Sequence, residues 1–91
     1  MLPIQQFSTG VLAEIIRRQP PSPARTSFAW QLAVGPALAR ATAVSLTDGV
    51  LTVRSTDDRW AREVRRASDV VLKRLQTLLG PETIRALQIE R

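Results

Sequence analysis

Residues 46–61 read LTDGVLTVRSTDDRWA and contain a turn between two alternating runs, followed by a cluster of acids. Asp48-Gly49 is typical of a two-residue type I′ turn, and apolar residues alternate with polar ones on both sides of it. The turn predicts an antiparallel hairpin with one face apolar, because a shift of one residue would reverse every side chain. The apolar face would hold Val44, Leu46, Leu51 and Val53. The other face would hold Ser45, Thr47, Thr52 and Arg54.

A long helix is predicted after the hairpin. Ser55 and Asp58 have the S-x-x-D spacing of a capping box, and Asp57 and Asp58 suit the positive end of a helix dipole. The helix should run uninterrupted from about Trp60 to Leu79 and end at Gly80-Pro81. Its predicted core stripe consists of Trp60, Val64, Ala67, Val71, Leu75 and Leu78. Because this helix would be longer than the strands, its C-terminal leucines should contact the preceding helices.

Two helical segments precede the hairpin, and one strand follows the long helix. Apolar spacing predicts a helix over residues 4–18, with Gly10 favouring an ordered start at Ser8 or Thr9. A second helix should begin at Pro23 with Ser22 as its N-cap and kink or break near Gly35. A short helical turn from Pro36 to Arg40 would come next. Near the C-terminus, Leu87 and Ile89 lie two residues apart and predict a last strand beside the hairpin.

These elements define an α+β fold of order α-α-β-β-α-β. A small three-stranded sheet would be covered on one face by the long helix. We expect one domain over residues 1–91, with a helical N-terminal part at about 4–40. The hairpin, long helix and last strand would occupy about 42–90.

The composition excludes several classes of function. The chain has no cysteine and no histidine, so disulfides, the usual zinc ligands and the usual general base are missing. No G-x-x-x-x-G-K-[ST] or G-x-G-x-x-G motif is present, which argues against nucleotide hydrolysis. We therefore expect neither an enzyme nor a cofactor. No apolar run approaches the roughly 20 residues of a membrane span, so we expect a cytoplasmic protein.

The charge of the chain points to an anionic partner. Its formal net charge is +5 and its sequence pI is about 11.5, as is common among proteins that bind nucleic acid or acidic proteins. Arginine accounts for every basic residue except Lys73, a bias that a GC-rich genome would also produce. The charge alone therefore leaves both explanations open.

A basic stripe is predicted on the long helix, opposite the apolar stripe. It consists of Arg59, Arg62, Arg66 and Lys73, with Arg54 of the hairpin beside it and Arg65 and Arg74 at its flanks. Asp69 is the main acid near it. The stripe either contacts phosphates of a nucleic acid or is simply a solvated helix face. Trp60 is predicted to turn inward as a core or groove-lining residue that contacts a partner; a stacking platform for bases is the alternative.

A set of residues from Trp30 to the C-terminus resembles the DciA family. The set comprises W-x-x-x-V-G from Trp30 to Gly35, Leu38-Ala39, Thr42, Leu46, Asp48-Gly49, Leu51, Val53, Ser55, Trp60-Ala61, Glu63-Val64, Leu72, Leu75, Gly80 and Ile89. The resemblance implies a KH-like domain that helps bring a DnaB-type hexameric helicase onto DNA at replication initiation, without being an ATPase. DnaB-type helicase and DNA, single- or double-stranded and without sequence specificity, would be its partners.

KH domains hold nucleic acid with a G-x-x-G loop between two helices. An uninterrupted helix over residues 60–79 would lack that loop, so any nucleic acid would have to bind elsewhere, with the basic stripe as the candidate surface. A KH-like module that binds RNA or DNA without a helicase role is the alternative function. A structural interaction domain with a solvated basic face is a third.

Overall fold

A computed structural model describes residues 9–90 of the chain. Five helices and three strands follow one another in this range. The helices are α1 (Thr9–Arg18), α2 (Pro23–Val34), α3 (Pro36–Arg40), α4 (Asp58–Arg66) and α5 (Ser68–Leu79). The strands are β1 (Thr42–Thr47), β2 (Val50–Ser55) and β3 (Ala86–Glu90). The part of the first predicted helix before Thr9 lies outside the described residues.

The helices before the hairpin begin and end at the predicted boundaries at Pro23 and Gly35. Ser22 is the N-cap of α2, and its Oγ accepts a hydrogen bond from the backbone N–H of Arg25 at 3.0 Å. Pro23 occupies the first turn, where a proline costs no hydrogen bond. Gly35 separates α2 from α3 with a φ of +91°, a conformation that favours glycine. The predicted break and the short helix after it are both confirmed.

The hairpin has the predicted turn and register. Asp48 and Gly49 have φ values of +53° and +80°, as a type I′ turn requires at both central positions. Val44 pairs with Val53 and Leu46 with Leu51. The inward residues Leu51 and Val53 are fully buried, because they belong to one core cluster with residues of α1, α2, α4 and α5.

The last strand settles the topology of the sheet. The strand order is β1-β2-β3, with β1 antiparallel and β3 parallel to the central strand β2. Leu87 and Ile89 of β3 pair with Leu51 and Val53 of β2, so the apolar face continues across all three strands. Parallel pairing requires a crossover, and α4 and α5 supply it.

The core lies between the sheet and the helices. Trp30 of α2 is 2% exposed and Leu75 of α5 is fully buried. α5 contacts both α1 and α2, and its C-terminal residues Leu78 and Leu79 belong to one buried cluster with Ile16 of α1 and Trp30 of α2. The predicted contact between these leucines and the preceding helices is therefore confirmed.

The region predicted as one uninterrupted helix consists of two helices, and this part of the prediction is wrong. The backbone of Ala67 (φ −96°, ψ 9°) leaves the α region between α4 and α5. The predicted capping box is also wrong, since the N-cap of α4 is Asp57, whose side chain accepts a hydrogen bond from the N–H of Arg59 at 2.8 Å. Ser55 is instead buried at the end of β2, where its Oγ donates to the carbonyl of Asp57.

The fold class is confirmed as α+β with a three-stranded sheet, and the regions follow the predicted order when α2 and α3 count as one region and α4 and α5 as another. The residues that α4 and α5 bury differ in part from the predicted core stripe. Val64 and Val71 of the predicted core stripe are buried, whereas Ala67 itself is exposed. Ala61 is buried in α4, and Trp60 is only half-buried. Across residues 9–90, no helix is long and apolar enough to cross a membrane.

Candidate nucleic-acid interface

The candidate interface is the outer face of α4. α4 contacts β2 and β3. Ala61 and Val64 are the buried residues of α4 and therefore mark its inner face. Residues offset from these two by about half a helical turn must then face solvent. These outward positions include Arg59, Arg62 and Arg66, three of the four predicted members of the basic stripe.

The structure brings these three arginines together. Arg59, Arg62 and Arg66 line one shallow depression of about 360 Å³, together with Glu63. They lie three and four residues apart, the spacing of neighbours on a helix surface. The basic cluster on α4 is thus a property of a single short helix and does not need the long helix that was predicted.

Carboxylates lie closer to the basic residues than predicted. Arg66 forms an ion pair with Glu63, and the Nη2 of Arg59 lies 3.6 Å from an oxygen of Asp57. Asp69 is therefore not the main acid near the stripe. These side chains are largely exposed, and exposed ion pairs contribute only about 0–1 kcal/mol. Because these ion pairs are weak, a phosphate can replace the carboxylate at little cost in free energy. The pairs therefore lower the local positive charge but leave the arginines accessible to an anion.

Arg54 and Lys73 do not line the depression on α4. Arg54 belongs to β2, points away from the helices and forms an ion pair with Glu90 of β3, with 3.3 Å between Nε and Oε1. Lys73 is exposed on α5, beyond the break. Its predicted alignment with Arg66 assumed a constant 100° per residue through Ala67, and the backbone there does not keep that rotation.

Trp60 does not turn into the core as predicted. Its side chain is half-buried on α4, next in sequence to Arg59. Among residues 9–90, the core cluster and the partly buried hydrophobic residues packed against it do not include it. The indole therefore keeps an accessible part beside the basic cluster, where a partner can reach it.

The structure separates arginines that hold the fold from arginines that face solvent. Arg74 donates to the carbonyl of Ala33 at 3.0 Å and so ties α5 to α2, which removes it from the predicted flank. Arg17 and Arg85 also donate to backbone carbonyls of distant elements. Arg65 remains exposed, and within residues 9–90 it has neither a hydrogen bond nor an ion pair from its side chain. It was predicted only as a flanking residue, yet it is as available as Arg62.

The arrangement supports electrostatic binding. In the described part of the chain, no three aspartate or glutamate side chains come together as metal ligands. What α4 offers is a set of guanidinium groups on one face with an indole beside it. Guanidinium groups bind phosphate through charge and paired hydrogen bonds.

The fold and this face define a class: an α+β protein with a basic helical surface suited to anionic partners. The family described as Dna[CI] antecedent, DciA, matches residues 4–89. The chain therefore belongs to the DciA family, which is associated with loading of the replicative helicase, DnaB, at replication initiation. No curated protein matches the chain significantly.

Proposed function

We propose that the protein binds a DnaB-type replicative helicase directly and assists its loading onto DNA, without enzymatic activity of its own. Membership of the DciA family over residues 4–89 is the observation that carries this proposal. The basic face of α4 supports a second, weaker contact with DNA. Such a protein would act in the cytoplasm, on the chromosome.

The helicase contact is tested with the purified chain and the helicase of the same organism. We expect a stable complex on size exclusion and faster loading of the helicase onto single-stranded DNA. If the chain neither binds the helicase nor changes its loading, the proposal is wrong.

Trp60 is the proposed contact residue for the helicase. Buried tryptophans carry a large share of the binding energy at protein interfaces, and truncating one that is central to an interface costs 2 kcal/mol or more, or about thirtyfold in affinity. Trp60→Ala should weaken helicase binding by about this factor. Phe28→Ala is the matched control, because Phe28 is an aromatic residue of α2 that is 41% exposed. Equal losses for both variants would remove Trp60 from the interface.

The DNA contact is proposed to use Arg59, Arg62 and Arg66, with Arg54 and Lys73 as outlying contributors. Phosphate contacts need charge and reach, and they read no sequence. Binding should therefore weaken steeply with salt and be similar for unrelated sequences.

A neutralised arginine gives a direct test of this surface. Arg66→Gln should reduce the slope of log K against log salt by about one and weaken binding to all oligonucleotides alike. Arg18→Gln is the matched control, because Arg18 is also an exposed helical arginine in an ion pair, with Glu14. Its side chain is 77% exposed against 76% for Arg66. An unchanged slope for Arg66→Gln and Arg62→Gln would exclude the α4 face.

The break at Ala67 favours one alternative, a KH-like module that binds RNA or DNA without a helicase role. KH domains hold nucleic acid with a loop that joins two helices, and α4 and α5 also meet at a short junction. The junction here reads Arg66-Ala67-Ser68 and lacks the G-x-x-G sequence. Tight oligonucleotide binding combined with no helicase binding would favour this alternative.

A further inference from the structure

The outer edge of β1 is a second surface with a defined chemistry. β1 is an edge strand of the sheet, and a two-residue turn closes its ladder with β2 at Thr47 and Val50. In such a ladder alternate residues form the interstrand bonds, so Thr42, Val44 and Leu46 direct their backbone N–H and C=O groups to the free side. No hydrogen bond within residues 9–90 uses these groups.

Two cavities lie along this edge. One of about 490 Å³ borders Thr42 to Val44, and the other, of about 340 Å³, borders Val44 to Leu46. α2 lines both cavities, and α3 and the residues before α2 complete them. Because Val44 borders both, the two cavities adjoin along residues 42–46, which span roughly 17 Å of the strand, and together they are called the groove.

The groove is basic at both ends. Arg40 lines the first cavity and Arg25 the second, and the lining of neither includes a carboxylate. Arg40 is exposed, and within residues 9–90 its side chain has no ion pair. Arg25 is only 8% exposed; its Nη1 donates to the carbonyl of Gln19 at 3.2 Å, while its buried Nε has no partner in the described part of the chain.

We propose that this groove binds an extended acidic peptide segment of another protein, which adds to the sheet as a strand beside β1. A peptide backbone supplies both donors and acceptors, as the free edge does, whereas a phosphodiester supplies acceptors only. Acidic side chains at the two ends of the segment would meet Arg25 and Arg40. Pairing of β1 with a second copy would instead bring the arginines of two copies together in a groove without an acid.

This surface is separate from the α4 face, because α2 and α3 contact β1 whereas α4 contacts β2 and β3. The inference therefore goes beyond the proposed function and does not depend on it. Its failure would leave helicase loading and DNA binding by α4 untouched.

The test uses a labelled peptide, Glu-Val-Thr-Val-Thr-Ile-Glu, titrated against the full chain. The same peptide with Gln in place of Glu should bind at least about fivefold more weakly, and methylation of alternate backbone nitrogens should cost about tenfold or more. Arg40→Gln should weaken the acidic peptide about three- to fivefold, and Arg18→Gln should leave its affinity unchanged. In amide NMR spectra, Val44 and Leu46 should gain protection from exchange.

Several results would overturn the proposal. Equal affinities for the Glu and Gln peptides, or for the methylated and unmethylated ones, would exclude acidic strand addition. Absence of binding at millimolar peptide would do the same. Protection of Val44 by an oligothymidine in place of the peptide would assign the groove to nucleic acid, and protection that rises with protein concentration alone would assign it to a second copy.

Discussion

Two hydrogen bonds of the Thr42 side chain link β1 to α2 and α3, and removing both bonds is expected to destabilise the protein measurably. The indole Nε1 of Trp30 in α2 donates to the Oγ1 of Thr42 in β1 at 2.9 Å. The same hydroxyl donates to the carbonyl of Leu38 in α3 at 2.8 Å. Thr42→Val keeps the branched shape of the side chain and removes both bonds.

The structure sets the magnitude of the loss. Trp30 is 2% exposed, so its N–H would lose its protein partner, at a cost of about 1–3 kcal/mol where water does not replace it. The carbonyl of Leu38 keeps a second donor, the N–H of Ala41 at 3.1 Å, and is not left unpaired. The cavity that Trp30 and Thr42 line admits water to part of the site. We therefore expect a loss of about 2 kcal/mol in the free energy of unfolding and a fall in Tm of about 10 °C.

Urea unfolding followed by circular dichroism measures this loss. Trp30→Phe and the double variant complete a double-mutant cycle, in which we expect a coupling energy of about 1 kcal/mol. Thr47→Val is the control, because Thr47 lies on the same strand with an exposed side chain. If Thr42→Val stays within about 0.5 kcal/mol of the wild type, or if the two single losses simply add, the reasoning is refuted.

Three further substitutions test the packing of the fold, each by urea unfolding. Gly49→Ala should cost about 1–2 kcal/mol, because φ is +80° and a Cβ would lie 2.6 Å from the Nε of Arg85; a neutral result would mean that the turn relaxes freely. Arg17→Gln should cost about 1 kcal/mol, because this side chain donates to carbonyls at the end of α5, whereas Arg18→Gln should cost less than about 0.5 kcal/mol; equal losses would contradict the capping role of Arg17. Leu75→Ala should cost about 2–5 kcal/mol, because Leu75 is fully buried; a loss below 1 kcal/mol would show a core that closes over the cavity.

Local signals in the sequence predicted most of the elements. Ser22-Pro23, Gly35-Pro36 and Gly80-Pro81 mark helix boundaries, because each pair restricts the backbone or its hydrogen bonds within a few residues. The Asp48-Gly49 turn carries more information, since a two-residue loop also specifies the register of both strands. The structure has these boundaries and this register.

The break at Ala67 shows where periodicity is insufficient. Apolar residues recur at helical spacing on both sides of it, so the pattern reads as one helix. Ser68 and Asp69 are of types favoured at helix starts, and they were the available signal of a second start. The error affected the predicted site, because the alignment of Lys73 with Arg66 depended on an unbroken helix.

Local patterns in the sequence were sufficient to predict the α+β class, the hairpin register and the family, because turns, caps and ordered motifs act over a few residues. Which basic side chains stay free of bonds to the fold depends on the tertiary structure. Arg17, Arg74 and Arg85 look like Arg62 in the sequence, yet they hydrogen-bond to carbonyls of distant elements. The parallel placement of β3 and the open edge of β1 also depend on the tertiary structure. The hydrogen-bond partner of a long side chain depends on which groups the fold brings close to it. These groups belong to residues that are distant in the sequence.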